Sequence, residues 1–255
     1  MQHILWEGDT PYGHYQVVDE TYDGRPARLL YSGDRRAAQS GVAQDDKPDL
    51  LFDYNQRLFE LAISLVPKRI LLIGGGVFTL PAALLPALPH TLIDVVEPDS
   101  GLPELAGRFF GLPDSDRLRI FTADGRSYLR EHAERYDLII IDAYSHTIIP
   151  REIKTLQAFR AYRDHLEAKG VLAMNVISGY HGSAVRTLHE VYAAAVHTFE
   201  RTDIFLASRG YSLWLPQNFI LVAQKVQDFE PGAYLRHKSV KPPEVFPDEA
   251  LEDKD

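Results

Sequence analysis

Five short apolar runs dominate the middle of the chain: Ile70–Ile73, Leu92–Val96, Leu118–Phe121, Leu138–Ile141 and Val171–Val176. Each has the length of a strand. Their near-continuous apolar character, without polar alternation, suits parallel strands buried on both faces. Helical segments between them act as crossovers, and Thr155–Ala168 and Ser183–Phe199 carry the clearest helical pattern. The fold class read from this is α/β, with a mostly parallel, Rossmann-like sheet. Ile204–Ala207, Tyr211–Leu215 and Phe219–Val222 complete the sheet, the last two joined through Pro216-Gln217-Asn218 as an antiparallel hairpin.

Upstream, residues 1–52 read as a small N-terminal β domain, with strands at Tyr15–Val18 and Ala27–Tyr31 flanking the turn Tyr22-Asp23-Gly24-Arg25. Tyr54, Leu58, Leu61, Ala62 and Leu65 then recur at helical spacing, which predicts a helix over 53–66 ending near Pro67. Residues 53–228 form the predicted nucleotide-binding domain. The stretch 229–255 carries Pro231, Pro242, Pro243 and Pro247 and a charged end, and is expected to be mobile.

Composition narrows the function. With 36 acidic against 27 basic residues, the net charge of -9 offers no favourable long-range field to phosphate backbones or anionic lipid. Neither nucleic acid nor membrane is expected as a partner. The window Ile70–Pro89 has no formal charge and the length of a membrane span, but Gly74, Gly75 and Gly76 and then Pro81, Pro86 and Pro89 interrupt a continuous helix. The chain has no cysteine, and Met1–Gly8 lacks the pattern of a secretory signal, so a cytoplasmic setting is expected. Ten histidines form no His-Glu-x-x-His pattern, and no metal is expected.

The first run passes directly into Gly74-Gly75-Gly76, where the chain can turn sharply and bring backbone N–H groups close to a ligand. An ordinary strand-to-helix turn would look the same. The second run ends in Glu97-Pro98-Asp99, about 20 residues beyond the glycines, where a carboxylate can accept the ribose hydroxyls of a nucleotide. Asp124-Gly125 follows the third run, with the carboxylate suited to an adenine amino group and the glycine leaving room for the ring. Asp142 follows the fourth. Acidic residues thus stand at successive strand ends, where open α/β sheets place their ligands. Thr79 occupies the third glycine position of a Gly-x-Gly-x-x-Gly pattern, which disfavours a dinucleotide oxidoreductase.

The series Gly74-Gly75-Gly76, Val96-Glu97-Pro98-Asp99, Ala123-Asp124-Gly125-Arg126 and Tyr136-Asp137-Leu138-Ile139-Ile140-Ile141-Asp142 resembles the spermidine synthases and their relatives. Tyr12-Gly13-His14-Tyr15-Gln16-Val17 and Gln39-Ser40 are similar to that family's first strand and second hairpin. The resemblance covers Tyr12 to Val222. It implies an S-adenosylmethionine-dependent methyltransferase-like fold behind a small β domain, and a homodimer. It also implies S-adenosylmethionine or its decarboxylated form as co-substrate, bound by Gly74, Gly75, Gly76, Glu97, Asp124 and Gly125. A small amine acceptor would face Asp142 as proton acceptor, with Tyr12, Gln39, Asp53 and Tyr144 as candidate substrate contacts.

The chain departs from the family at its cation-binding positions. Val77 follows the glycines where polyamine-active members have aspartate, and Asp142-Ala143-Tyr144-Ser145 replaces Asp-Ser-Ser-Asp. Phe52-Asp53-Tyr54 stands where the family has Tyr-His-Glu or Tyr-Gln-Glu. An ammonium desolvated without a partner costs several kcal/mol, so weak putrescine aminopropyl transfer is expected. Methyl transfer and a catalytically silent nucleotide-binding or assembly role are the competing readings.

Overall fold

The computed structural model describes residues 2–33, 37–45, 50–144, 149–181, 185–208, 215–227, 231 and 251–252. Four antiparallel strands in meander order come first: β1 (His3–Thr10), β2 (Gly13–Tyr22), β3 (Arg25–Ser32) and β4 (Ala38–Ala43). Helix α1 (Asp53–Leu65) leads to β5 (Arg69–Ile73), α2 (Thr79–Ala87), β6 (Leu92–Val96), α3 (Leu102–Phe109), β7 (Leu118–Phe121), α4 (Gly125–Glu131) and β8 (Tyr136–Ile141). A short 3-10 turn at Arg151–Ile153, α5 (Leu156–Asp164), β9 (Leu166–Ser178), α6 (Arg186–Val196), β10 (Arg201–Leu206) and β11 (Gln217–Gln224) follow.

The second sheet has seven strands in the order β10-β11-β9-β8-β5-β6-β7. Strands β5 to β9 are mutually parallel, whereas β11 runs antiparallel to β9 and β10 antiparallel to β11. Successive residues explain the continuous apolar runs. Ile70, Leu72, Leu138, Ile140, Val171 and Ala173 join one core with α1 and α2, while Leu71, Ile73, Ile139, Ile141, Leu172 and Met174 join the other with α4, α5 and α6. Both faces are covered, so no solvent-facing alternation is needed. Tyr15, Val17 and Leu30 of the four-stranded sheet belong to the first of these cores, which ties that sheet to the larger one.

Several elements differ from the sequence expectation. The antiparallel hairpin pairs β10 with β11, Leu206 opposite Phe219, and Gln217 and Asn218 lie within β11 rather than in the turn. Of the expected strand Tyr211–Leu215, residues 211–214 lie outside the described residues, as do 183–184 of the expected helix Ser183–Phe199. Helix α5 stops at Asp164, so Leu166–Ala168 are strand rather than helix. Helix α2 contains both Pro81 and Pro86. Pro81 sits in the first turn, where the missing N–H has no intrahelical acceptor to lose. Of residues 229–255 only Pro231, Leu251 and Glu252 are described. Leu251 accepts a hydrogen bond from Leu156 N and Glu252 one from Arg151, both through their carbonyls. Among the described residues no helix is long and apolar enough to cross a membrane.

Candidate functional site

Strand order reverses beside β5: the chain moves outward through β6 and β7, then returns to place β8 on the other side. The carboxyl ends of β5 and β8 therefore flank the crevice where open α/β sheets bind ligands. Gly74 follows β5 with φ +96°, and a side chain there would put its Cβ 2.3 Å from the carbonyl oxygen of Asp142. Only glycine lets the two strand ends close to this distance. Glycine loop and Asp142 are thereby brought to one wall of a cavity of about 1360 Å³.

Glu97, buried after β6, organises the loop. Its Oε2 accepts from Gly75 N at 2.8 Å and Gly76 N at 3.3 Å, and its Oε1 from Asp99 N at 2.9 Å. Burial pushes its carboxyl above the ordinary range, and the three backbone donors oppose that rise. A carboxylate has about four acceptor positions, and the loop uses three. Room remains for one further donor, and accepting both ribose hydroxyls requires the long Gly76 contact to give way. Asp124 caps α4 by accepting from Ser127 N at 2.9 Å, which holds its carboxyl below the ordinary range. At Gly125 a Cβ would lie 2.6 Å from Ile73 Cγ2, so the glycine lets α4 pack on β5.

Asp142 lies one residue beyond β8, part-buried in the cavity wall. Asn175 Nδ2 donates to its Oδ1 at 2.9 Å, and the Tyr54 hydroxyl donates to it as well. Burial pushes its carboxyl up to about 6, opposed by these two hydrogen bonds. Tyr144 takes a position that a strand would otherwise fill. Strand β8 ends its pairing at Ile141 opposite Met174, and beyond it the Tyr144 hydroxyl donates to Asn175 O at 2.7 Å and accepts from Ile177 N at 2.9 Å. Its phenol lines the cavity, but its hydroxyl serves the backbone. Burial, then the charge of Asp142, raises both the Tyr54 and the Tyr144 hydroxyls well above the ordinary range, so they remain neutral donors.

The four-stranded sheet closes the other side. Thr10 of β1 donates to Asp99 Oδ2 at 2.5 Å, and Ser40 of β4 lies 3.2 Å from Thr79 Oγ1 and accepts from Val77 N at 3.4 Å. Tyr15 of β2 also meets Asp99; burial first, then the charges of Asp99 and Glu97, raises its hydroxyl. Tyr12 stands at the rim, 65% exposed, and Gln39 donates to Ser32 Oγ at 2.5 Å. Asp53 opens α1. All the residues expected to bind nucleotide or substrate, from Tyr12 and Gln39 through Gly74, Gly75, Gly76, Glu97, Asp124 and Gly125 to Asp142 and Tyr144, line this one cavity together with Asp53. Val77 does not: its side chain is 1% exposed within the apolar core. Ser145 lies outside the described residues.

Sequence reading overlooked Tyr54, Asn175 and Asn218 as polar partners in this wall. A signal was present for Asn175, the one amide within the apolar run Val171–Val176, since a polar group in a strand buried on both faces has a hydrogen-bond partner. Among the described residues no group of three or more histidine, aspartate or glutamate side chains is arranged to hold a metal.

A glycine loop at the switch point of a mostly parallel sheet, with carboxylates at successive strand ends, defines a Rossmann-like fold of the methyltransferase type. No family model matches the chain. It is 28% identical over 193 residues to the "Probable polyamine aminopropyl transferase" of Bifidobacterium longum, covering 75% of this chain and 42% of that protein. With the "Polyamine aminopropyltransferase" of Vibrio vulnificus it shares 33% identity over 115 residues, 44% of this chain and 38% of that protein. The chain thus spans less than half the length of these two relatives. It is also 29% identical over 143 residues to the human "eEF1A lysine and N-terminal methyltransferase", covering 54% of this chain and 18% of that one. A probable spermidine synthase from Corynebacterium glutamicum shares the fold with a TM-score of 0.78 at 19% identity, covering 91% of this chain and 86% of that one. A spermidine synthase in complex with the transition-state analogue AdoDATO gives 0.67 at 21% identity, over 88% and 74%. In sequence and in fold the chain is thus similar to the spermidine synthase-like proteins.

Proposed function

We propose that the chain is a transferase that binds S-adenosylmethionine or its decarboxylated form over the glycine loop and passes a group from it to a small amine. The observation that carries this reading is the placement of Asp142: an acid at the switch point in the cavity wall, hydrogen-bonded by an amide and a phenol and pushed up to about 6 by burial. Near neutral pH such a group is largely ionised yet still able to take a proton, which is what a general base for an amine needs. A sulfonium donor supplies an electrophilic carbon and a neutral thioether leaving group. Glu97 retains a lone pair for a ribose hydroxyl, and Asp124 has a second oxygen beyond the one capping α4. Asp142 attracts the ammonium of the acceptor, takes its proton and leaves the nitrogen lone pair free to attack.

The absence of an acid after the glycines favours a second reading, methyl transfer from intact S-adenosylmethionine. Val77 is turned into the core, so the position that carries aspartate in polyamine-active relatives offers neither attraction to a donor ammonium nor repulsion to a donor carboxylate. The similarity to a protein named as a lysine and N-terminal methyltransferase supports the same alternative. We further propose a two-fold dimer, the commonest assembly; sedimentation showing only monomer at micromolar concentration counts against it.

Parallel calorimetric titrations with S-adenosylmethionine, its decarboxylated form, methylthioadenosine and NAD test the proposal. Binding of the adenosine-type ligands without NAD is expected, together with weak or absent aminopropyl transfer to putrescine. Binding of NAD alone would overturn it. Turnover of putrescine at about 1–1000 per second, ordinary enzyme rates, and its loss in Asp142→Asn would instead establish plain spermidine synthesis.

A further inference from the structure

Asn175 stands on β9 on the face that packs against α1, and one residue performs two tasks there. Its side-chain Nδ2 donates to Asp142 Oδ1 at 2.9 Å, and its backbone carbonyl accepts from the hydroxyl of Tyr144 at 2.7 Å. Both the carboxylate and the loop carrying it are thus tied to the same point of a central strand. Asn218, on the neighbouring antiparallel β11, lies diagonally across the ladder: Asn175 is opposite Ile220, and Asn218 is opposite Ile177. Its Nδ2 donates to Asn175 Oδ1 at 2.9 Å.

We propose that Asn175 and Asn218 form an amide relay that positions Asp142, with Asn218 fixing which end of the Asn175 amide meets the carboxylate. An asparagine amide can turn over and exchange its donor and acceptor ends. Turned over, Asn175 would place an oxygen against Asp142 and oppose its ionisation. The Asn218 donor prevents this by requiring the Asn175 oxygen on its own side. Because both amides stand on paired strands rather than loops, the arrangement is set by the sheet. The consequence is a carboxylate with one oxygen tied down and its other edge facing the cavity and Tyr54. This inference rests on the reading of Asp142 as a proton acceptor, although the relay itself is a property of the free protein.

The titratable groups facing Asp142 are Tyr54 from α1 and Tyr144 from its own loop, and Asp53 and Glu152 line the same cavity from α1 and the 3-10 turn. The relay predicts a specific pattern above that background. In the full, ligand-free chain, the Asp142 carboxyl is followed by carbon-13 NMR against pH, assigned by its disappearance in Asp142→Asn. Removing a donor from the ionised form raises the midpoint, so Asn175→Ala shifts it up by about one unit, a tenfold gain in proton affinity. Asn218→Ala shifts it in the same direction by less. Since Asn218 acts through Asn175, the double variant matches Asn175→Ala alone rather than adding to it.

An unchanged midpoint in Asn175→Ala overturns the relay, and so does an Asn218→Ala shift that persists in full when Asn175 is already alanine. Should Asn175→Ala fail to fold by circular dichroism, Asn218→Ala at its half-buried position carries the test, and an unmoved midpoint there is decisive against the proposal. The measurement needs no substrate. Absence of any transfer activity therefore removes the proposed chemistry and leaves the relay standing, while a failed titration pattern removes the relay alone.

Discussion

Two aspartates on the same sheet have opposite surroundings. Asp94, in the middle of β6 and 1% exposed, is gripped by Arg119 through two bonds of 2.6 Å, by Arg69 at 3.3 Å and by the Tyr136 hydroxyl at 2.9 Å. Tyr128 extends the cluster by a 2.7 Å bond to Tyr136. Burial first, then the hydrogen bond to Tyr128, keeps Tyr136 protonated, and the hydrogen bond to Asp94 keeps Arg119 charged. Asp142, at the carboxyl end of β8, has an amide and a phenol instead. Asp94 is thus built into an ion-paired cluster, whereas Asp142 meets only neutral donors among its described partners and is pushed up to about 6 by burial. The first arrangement joins β5, β6, β7 and β8 together; the second sits where the strands stop and the cavity begins.

The sharpest way to break this contrast is to exchange the functions of the two acids by substitution. Asp142→Asn keeps the shape and removes the proton-accepting charge, and is expected to lower transfer to whatever amine proves to be the acceptor by about 10²- to 10⁴-fold, the usual contribution of a general base. Retained transfer would leave Asp142 as a structural acid of the same kind as Asp94. Asp94→Ala is expected to act on stability instead, costing about 2–4 kcal/mol in urea unfolding. That is below the full penalty for breaking a buried ion pair, because the Arg119 and Arg69 side chains are 47% and 30% exposed and can reach water. Nucleoside affinity of the folded Asp94 variant should be unchanged.

The two acids were not equally legible in the sequence. Apolar runs announced β6 and β8 closely, since burial on both faces leaves a continuous pattern, and a carboxylate just after a run reads as a ligand group. Asp142 was therefore visible. Asp94 sits inside the run Leu92–Val96, and its partners come from β5, β7 and β8, distant in sequence, so nothing local to it showed an ion-paired cluster. The same reason hid Asn218 and Tyr54: their contacts to the site depend on which strands and helices become neighbours. The turn assignment at Pro216-Gln217-Asn218 differs because turn-forming residue types carry no sign that β9 lies beside Gln217 and Asn218 and supplies their ladder partners, Ser178 and Ile177. Local composition can be outvoted by pairing.

A third acid sharpens the comparison between charge held by cations and charge held by neutral donors. Glu97 is buried and is met by three backbone N–H groups, so removing it leaves Gly75, Gly76 and Asp99 with unpaired donors as well as depriving a nucleoside of its acceptor. Glu97→Ala should weaken binding of an adenosine-type ligand by about 1–3 kcal/mol. Unchanged affinity in a folded variant, measured by calorimetry, would reduce Glu97 to a loop organiser.

The smallest effect is also the one that tests the origin of the Asp142 environment without any ligand. Its carboxyl has an ordinary value of 3.8 and is pushed up to about 6 by burial. Between these values the folded chain holds a proton that the unfolded chain has released, so stability falls as pH rises from about 4 to about 6 and is level above that. Asp142→Asn lacks this slope. It should therefore be more stable than the parent at pH 7, with the difference shrinking as pH falls and vanishing near pH 4. Because Asp142 borders the cavity and the substitution perturbs its contact with Tyr54, a difference of about 1–2 kcal/mol at pH 7 is expected. Urea unfolding of both proteins at pH 4, 5, 6 and 7 measures it. A difference that stays constant across this range would mean that burial does not set the proton affinity of Asp142, and the contrast with Asp94 would have to rest on geometry alone.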